Sequence, residues 1–593
     1  MSNSSISSNE TAHFPDGKPL GFERNRQFDG GKLKIICGPL LRYWGVEDGQ
    51  WKGSVVYVLD DSESDLSSPM TFTVQEQTIE PTKLYTKFNY SWHRFFFKIP
   101  LTPEDQKVEY VLQGEHEPFA FYIPGSELEA NILFYSCNGF SIGTPTEEFP
   151  NSLWSDVLDK HSGKPFNYAL GGGDQLYCDS IGYFCPPFSH WTKHNILHHV
   201  KHRQPTETDI EGIEAYYIKQ YIDWFGRGYW KGIKGETLQK SMPDALAVIP
   251  HLNIYDDHDI IDGFGSYKPK TQNLPMFKQV GKSAQRYYFL FQLGIAPGEC
   301  ADDARSDSSW VTTGKTGPYM PYPALSIWAQ LGKSVAFCGL DCRTERTGKQ
   351  VVAPDTYEAF FSRASKELAN PDIKHFLLML GVPIAYPRMV WAEFLMSSFL
   401  LRPVKWLARH KIILGGFVNE FDGQVELLDD LSDHWCASDH KKERNNLVLR
   451  LQQLAKTTGT RITVLTGDVH LCGIGRFKTR DSDIPPEKDY RLMLCPISSA
   501  ITNTPPPELL ADFMNKRNKL HYLDHTVEDM VPIFLEDTDG TSRNNHHTLP
   551  RRNYCVLSMG GEGDMDMSLM VEKNNKGTLE TIPYSEKIPR LEL

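Results

Sequence analysis

Residues 167–179 read Asn-Tyr-Ala-Leu-Gly-Gly-Gly-Asp-Gln-Leu-Tyr-Cys-Asp. A short apolar run ends in three glycines, and an aspartate follows at once. In an α/β sheet, side chains that hold metals or phosphate sit beyond the carboxyl end of a strand. Gly171, Gly172 and Gly173 let the backbone turn sharply there with no side chain in the way. Asp174 then projects from the strand tip, and Tyr177 returns toward the same point one short turn later. Both are oxygen donors suited to a hard divalent or trivalent cation. Taken alone, the pattern is also that of an ordinary Gly-rich turn, so the surrounding chain has to decide.

Three further short motifs follow strand-like apolar runs. They are Ser136-Cys137-Asn138-Gly139, Tyr255-Asp256-Asp257-His258-Asp259 and Gly467-Asp468-Val469-His470. Each has a bland reading: Cys137 as a core thiol, His258 as a loop histidine, Asp468 as a turn residue. Four such motifs after four apolar runs are harder to dismiss. The runs Asn131–Ser136, Ala245–Ile249, Ser334–Cys338, Ile373–Leu380 and Arg461–Leu465 are expected as strands, and Leu153–Leu158 and Leu447–Leu454 as helix. Asn553–Ser558, Met567–Val571 and Thr578–Ile582 read as late strands. Alternation of this kind implies an α/β sheet with functional loops at one edge.

Ahead of this part, Lys34–Gly38, Gly53–Leu59, Thr71–Val74 and Arg94–Ile99 are rich in β-branched and aromatic residues. They predict a small β-sandwich-like N-terminal domain over 31–128, after a disordered polar arm over 1–30. The net charge of -13 argues against nucleic-acid binding, which needs a basic face. The 11 cysteines are odd in number and lack paired spacing, and Met1–Glu10 lacks the plan of a signal peptide. These features predict reduced thiols and an intracellular, cytoplasmic protein without a transmembrane helix. His190, His194, His198 and His202 recur every four residues, which on one helix makes a polar stripe or a zinc site. Met389–Lys411 is aromatic and apolar with basic residues toward its end. It suits either a peripheral contact with a membrane surface or a buried helix or lid beside the site. Pro403 and Glu393 favour the second.

In their order and spacing, the four motifs resemble the PhoD-like alkaline phosphatases of the calcineurin-like metallophosphoesterase superfamily, in particular a fungal PhoD-related branch. Leu340-Asp-Cys-Arg343, Asp433-His-Trp435 with Glu443-Arg444, and Pro496–Ala500 are weaker similarities. The resemblance covers 129–593, with inserts near 180–240 and 385–430 expected to govern substrate access. It implies a four-layer α/β/β/α metallophosphoesterase sandwich with two metals at the strand ends. Cys137, Asp174, Tyr177 and His470 would hold Fe3+, and Asp174, Asp257 and Asp468 a second divalent ion (Ca2+, Mg2+ or Mn2+). Hydrolysis of phosphate mono- or diesters by metal-bound hydroxide is the implied reaction. His258 would protonate the leaving oxygen, Asp256 or Asp259 would orient it, and Arg343 would clamp the phosphate. One departure is Leu380-Gly-Val-Pro-Ile384, where relatives of the superfamily supply another ligand side chain. The rival expectation is a catalytically degenerate phosphatase fold that binds or scaffolds at a membrane surface.

Overall fold

Strand Tyr168–Gly172 lies in a ten-stranded sheet, buried along its whole length. The spatial order is Thr581–Ile588, Met565–Glu572, Asn553–Met559, Asn131–Tyr135, Tyr168–Gly172, His251–Ile254, Ile35–Glu47, Gln50–Asp60, Tyr90–Pro100 and Thr82–Lys87. Asn131–Tyr135, Tyr168–Gly172, His251–Ile254 and Ile35–Glu47 run parallel, and the strands that flank this group, Asn553–Met559 and Gln50–Asp60, run antiparallel to it. Near-continuous apolar runs such as Asn131-Ile-Leu-Phe-Tyr135 are what a parallel strand covered on both faces requires. This is a computed structural model; it describes residues 33–593 apart from 68, 116, 195–197, 300–306, 388–432, 482, 516–519 and 574–579. The arm over 1–30, the stretch 389–411 and nearly all of the 385–430 insert lie outside the described residues.

The second large sheet has parallel Val335–Gly339, His375–Gly381, Arg461–Thr466 and Met493–Ile497 at its centre. The period-2 alternation of His375–Gly381 shows how the layers form. Leu377 and Met379 face the first sheet, in one core with Phe134, Leu170 and Ile254. Phe376, Leu378 and Leu380 face outward onto Phe360 of helix Pro354–Glu367 and Leu447 and Leu451 of helix Lys441–Thr458. Each such leucine, fully buried, contributes about 1.5–3 kcal/mol. Helices Trp154–Gly163 and Ser241–Val248 supply Trp154, Val157 and Leu246 to the first sheet's side. The expected α/β/β/α layering is thus present, with a β-rich N-terminal region.

Two expectations need correction. Ala245–Ile249 is not a strand: Ser241–Val248 is helical, and the strand begins after Pro250, at His251. The Ala/Leu content that reads as a buried strand also has high helix propensity. Nor do the N-terminal strands stand apart. Ile35–Glu47 joins His251–Ile254 in parallel through Arg42 and His251, so Ile35–Glu47, Gln50–Asp60, Tyr90–Pro100 and Thr82–Lys87 extend the main sheet. Only Gln77–Ile79, Phe72–Val74, Gln106–Leu112 and Phe119–Ile123 form a separate small sheet. Of the histidine stripe, His190 and His194 lie one turn apart on helix Pro186–His194 with their rings stacked at 4.3 Å, and residues 195–197, which lead to His198, lie outside the described residues.

Within the 180–240 region, helix Glu207–Tyr221 packs behind the loop after Tyr168–Gly172. Tyr216 Oη donates to the Cys178 carbonyl at 2.9 Å, and Tyr217 Oη to the Ile260 carbonyl at 2.5 Å. Cys178 N–H donates to the His258 carbonyl at 2.8 Å. These residues of the insert therefore brace the loops around Asp179 and His258 from behind.

Candidate metal centre

All four motifs lie beyond carboxyl ends of parallel strands: Cys137 after Asn131–Tyr135, Asp174 after Tyr168–Gly172, Asp257 after His251–Ile254, and Asp468 and His470 after Arg461–Thr466. The first three come from one sheet and the last from the other. Backbone hydrogen bonds join the loops, with Asn138 N–H donating to the Asp174 carbonyl at 2.7 Å and Asn503 N–H to the Cys137 carbonyl at 3.3 Å.

The backbone is unusual at the donors themselves. Cys137, Asp174, Asp468 and His470 have φ of 54°, 51°, 70° and 51°. Non-glycine residues seldom adopt this left-handed region, and such positions gather at functional sites. Gly173, at φ 99°, must be glycine: a Cβ there would lie 2.9 Å from the Asp256 Cβ.

Cys137 and Tyr177 pack together with Ala500. Cys137 Sγ lies 3.6 Å from Asp174 Oδ2, and Tyr177 Oη 3.0 Å from His470 Nε2. Burial and then the Asp174 and Asp468 carboxylates push the Cys137 thiol up. Burial followed by Cys137 and Asp174 does the same to Tyr177. His470 is pulled down to about 4, by burial and by the charge of His258, so its imidazole is neutral and offers a lone pair. Asn503 Nδ2 also donates to His470 Nε2 at 3.2 Å.

On the other side, ligand atoms of Asp174, Asp257 and His258 lie within 4.8 Å of one another, as do those of Asp256, Asp257 and Asp468. Among the described residues, Asp174 Oδ1 and Asp257 Oδ1 are buried without a hydrogen-bond partner, although Arg343 Nη2 stands 3.7 Å from the latter. Buried carboxylate oxygens are costly unless paired or coordinated. A cation is the fitting neighbour for both, and the donor set suits one: thiol, phenol, carboxylate and imidazole on one side, carboxylates on the other.

Asp179 orients His258, with its Oδ2 2.8 Å from Nδ1 and its Oδ1 accepting from the Asp262 N–H. Burial would lower the His258 pKa, but Asp179, Asp257 and Asp174 together hold it well above the usual range. The expectation that Asp256 or Asp259 orients this ring is corrected. Asp259 braces loops instead: its Oδ2 accepts from the N–H groups of Gln175 and Asp256, its Oδ1 from Gln292 Nε2. Asp256 accepts from Arg343 Nε at 2.7 Å.

Arg343 also departs from the clamp expected of it. It is fully buried, and all five of its N–H groups go to Asp256, Asp433 and the Phe264 carbonyl. It neutralises two carboxylates behind the cluster and has no donor left for a phosphate. Sequence reasoning left Asp179 and His434 without roles. His434 Nε2 lies 3.2 Å from Asp468 Oδ2. Burial would raise the Asp468 pKa, but the bond from His434 outweighs it and holds the carboxyl below its ordinary value. Near Leu380–Ile384, Gly381 presses on Asp256, a Cβ there falling 3.3 Å from Oδ2.

A family model described as PhoD related phosphatase matches residues 118–401 and 399–582. The chain belongs to this family. It is 39% identical over 580 residues to uncharacterized protein YGR266W of Saccharomyces cerevisiae, covering 90% of this chain and 81% of that one. Among solved structures it is similar to PhoD, with a TM-score of 0.50 and 11% identity over 94% of this chain and 92% of that one. A purple acid phosphatase of yellow lupin (Lupinus luteus) matches at a TM-score of 0.44 and 9% identity, over 94% and 74% of the two chains. Family membership makes the protein a PhoD-related phosphatase. Among the described residues no helix is long and apolar enough to cross a membrane.

Proposed function

We propose that the protein hydrolyses phosphate mono- or diesters at a two-metal centre. The observation that carries this reading is the convergence of six donors from both sheets around two buried carboxylate oxygens, those of Asp174 and Asp257, that have no hydrogen bond among the described residues. Cys137, Asp174, Tyr177 and His470 would hold Fe3+, while Asp174, Asp257 and Asp468 would hold a divalent ion (Ca2+, Mg2+ or Mn2+). Bound there, such a pair supplies Lewis-acid activation of water and neutralisation of phosphoryl charge.

The chain's own residues do the rest. His258 keeps its Nδ1 side on Asp179 and its ring stacked on Tyr177 at 4.5 Å, so the other ring nitrogen presents a proton to the leaving oxygen. A positioned donor of this kind is worth about 10²–10⁴-fold in rate. Asp259, Arg343 and Asp433 hold the loops and balance charge without touching substrate. Metal analysis of the purified protein, followed by a panel of aryl phosphate mono- and diesters, tests the proposal. Asp174→Asn is expected to lose metal and activity while keeping its fold. Metal-free protein inert across the panel with added divalent ions would overturn the reading.

A further inference from the structure

Beside strand His251–Ile254, which the loop of Asp256 and Asp257 follows, lies a small cavity. Its lining includes Arg42, His251, Asn253, Gln292, Ser309 and Trp310. Each of these is less than a tenth exposed. Its water-accessible volume is about 10 Å³, close to room for one water molecule. Four of these lining side chains each have one polar atom buried without a hydrogen-bond partner among the described residues: Arg42 Nε, His251 Nε2, Asn253 Nδ2 and Gln292 Oε1. Buried polar groups are nearly always hydrogen-bonded to protein or to ordered water.

The other bonds of these side chains fix what each atom offers. Arg42 gives Nη1 to the Leu41 carbonyl and Nη2 to the Phe291 carbonyl, at 3.1 and 2.8 Å, leaving Nε–H as a donor. Asn253 Oδ1 accepts from Tyr135 Oη at 3.5 Å, so its Nδ2 is a donor as well. His251 Nδ1 lies 2.6 Å from the Ile249 carbonyl and must carry the proton, which leaves Nε2 a bare acceptor. Burial and then the neighbouring Arg42 hold this imidazole neutral, its pKa pulled down to about 3. Gln292 Nε2 donates both hydrogens, to Tyr221 Oη and Asp259 Oδ1 at 2.8 Å each, so Oε1 accepts.

Two donors and two acceptors on side chains that line one small space are the complement of a water molecule, which accepts twice and donates twice. An anion would satisfy Arg42 and Asn253 but would face two lone pairs, on His251 and Gln292. A cation would face Arg42. We propose that this cavity is a binding site for a single ordered water, bridging Arg42, Asn253, His251 and Gln292. The water bridges the first strand, Ile35–Glu47, to His251–Ile254, where a single residue pair joins them in register. It also fixes the amide of Gln292, whose other end holds Asp259 and so the N–H groups of Gln175 and Asp256. The site thus stands two side chains behind the metal loops, whatever reaction they carry out.

A crystal structure of the full chain, grown with bromide replacing chloride and at a resolution that shows ordered water, tests this directly. The expected result is a peak within hydrogen-bonding distance of all four atoms and without bromide anomalous signal. An anomalous peak there would make the site an anion site, and no density would make the cavity dry; either overturns the proposal. In solution, ¹⁷O magnetic relaxation dispersion should count one long-lived water fewer in Gln292→Met than in the wild type. An equal count in a folded Gln292→Met protein would contradict it.

Discussion

At the scale of single residues, the site is a set of opposed charges held in place by the loops. Asp179→Asn removes the partner that both orients His258 and raises its pKa. Loss of such an outer partner typically costs about 10–100-fold in activity. His258 must be protonated to give up its proton, so the alkaline limb of the kcat/KM profile is expected to move to lower pH in this variant. A profile that falls in height without shifting would assign Asp179 a structural role only. His258→Ala should lose about 10²–10⁴-fold in kcat while keeping its circular dichroism. Neither Asp179 nor His434 could be assigned from the sequence. Asp179 lies 79 positions from His258, and His434 is brought to Asp468 only by the folded loop around it. By contrast, the convergence of the loops bearing Cys137, Asp174, Tyr177, Asp257, Asp468 and His470 could be read, because each loop comes shortly after an apolar strand, and parallel strands deliver the loops at their carboxyl ends to one edge.

At the scale of elements, helix Glu207–Tyr221 is the brace of the 180–240 region, and it is started by a capping box. Thr206 Oγ1 accepts from the Asp209 N–H, and Asp209 Oδ2 accepts in turn from the Thr206 N–H and from Arg203. Thr206→Ala should cost about 1 kcal/mol, read as a lower urea midpoint with unchanged slope. An unchanged midpoint would mean that the cap contributes nothing. Helix and strand identity was readable wherever one period dominated, as in His375–Gly381. It failed at Ala245–Ile249, where a short apolar run fits either element and Pro250 marks the true boundary. Arg343 shows a related limit: the sequence places it past a strand end, but only the fold shows that Asp433, from 90 positions away, takes its donors.

At the scale of the whole molecule, the two sheets meet at one acidic edge and share one core between them. The α/β/β/α order came from the family resemblance, whereas an α/β sheet with its loops at one edge could be read from the alternation of strands and helices. The union of the N-terminal strands with the main sheet could not, since it depends on one parallel pair, Arg42 with His251, distant in the sequence. Far from the metal edge, His375 donates Nε2–H to the Gly563 carbonyl at 2.9 Å, which ties the two sheets' lower ends together. Burial pulls its pKa down to about 4. A group with a folded pKa below its unfolded value near ~6.5 adds stability that is complete above that value and lost as pH falls toward the folded pKa. The destabilisation caused by His375→Gln should therefore be larger near pH ~7 than near pH ~4.5, measured by urea denaturation. An equal loss at both values would mean that the buried imidazole does not titrate as its surroundings require.

The central claim is that Asp174 stands between two metals that serve phosphoester hydrolysis. Elemental analysis of the purified wild type and Asp174→Asn, each assayed on the same preparation against aryl phosphate mono- and diesters, tests it most directly. The wild type should carry about one iron and one divalent ion per chain and turn over at least one ester class. Asp174→Asn should lose both the metals and the activity at an unchanged melting profile of its fold in chelator. Wild-type protein without bound metal, or an Asp174→Asn variant that retains full metal content and full activity, would contradict the account.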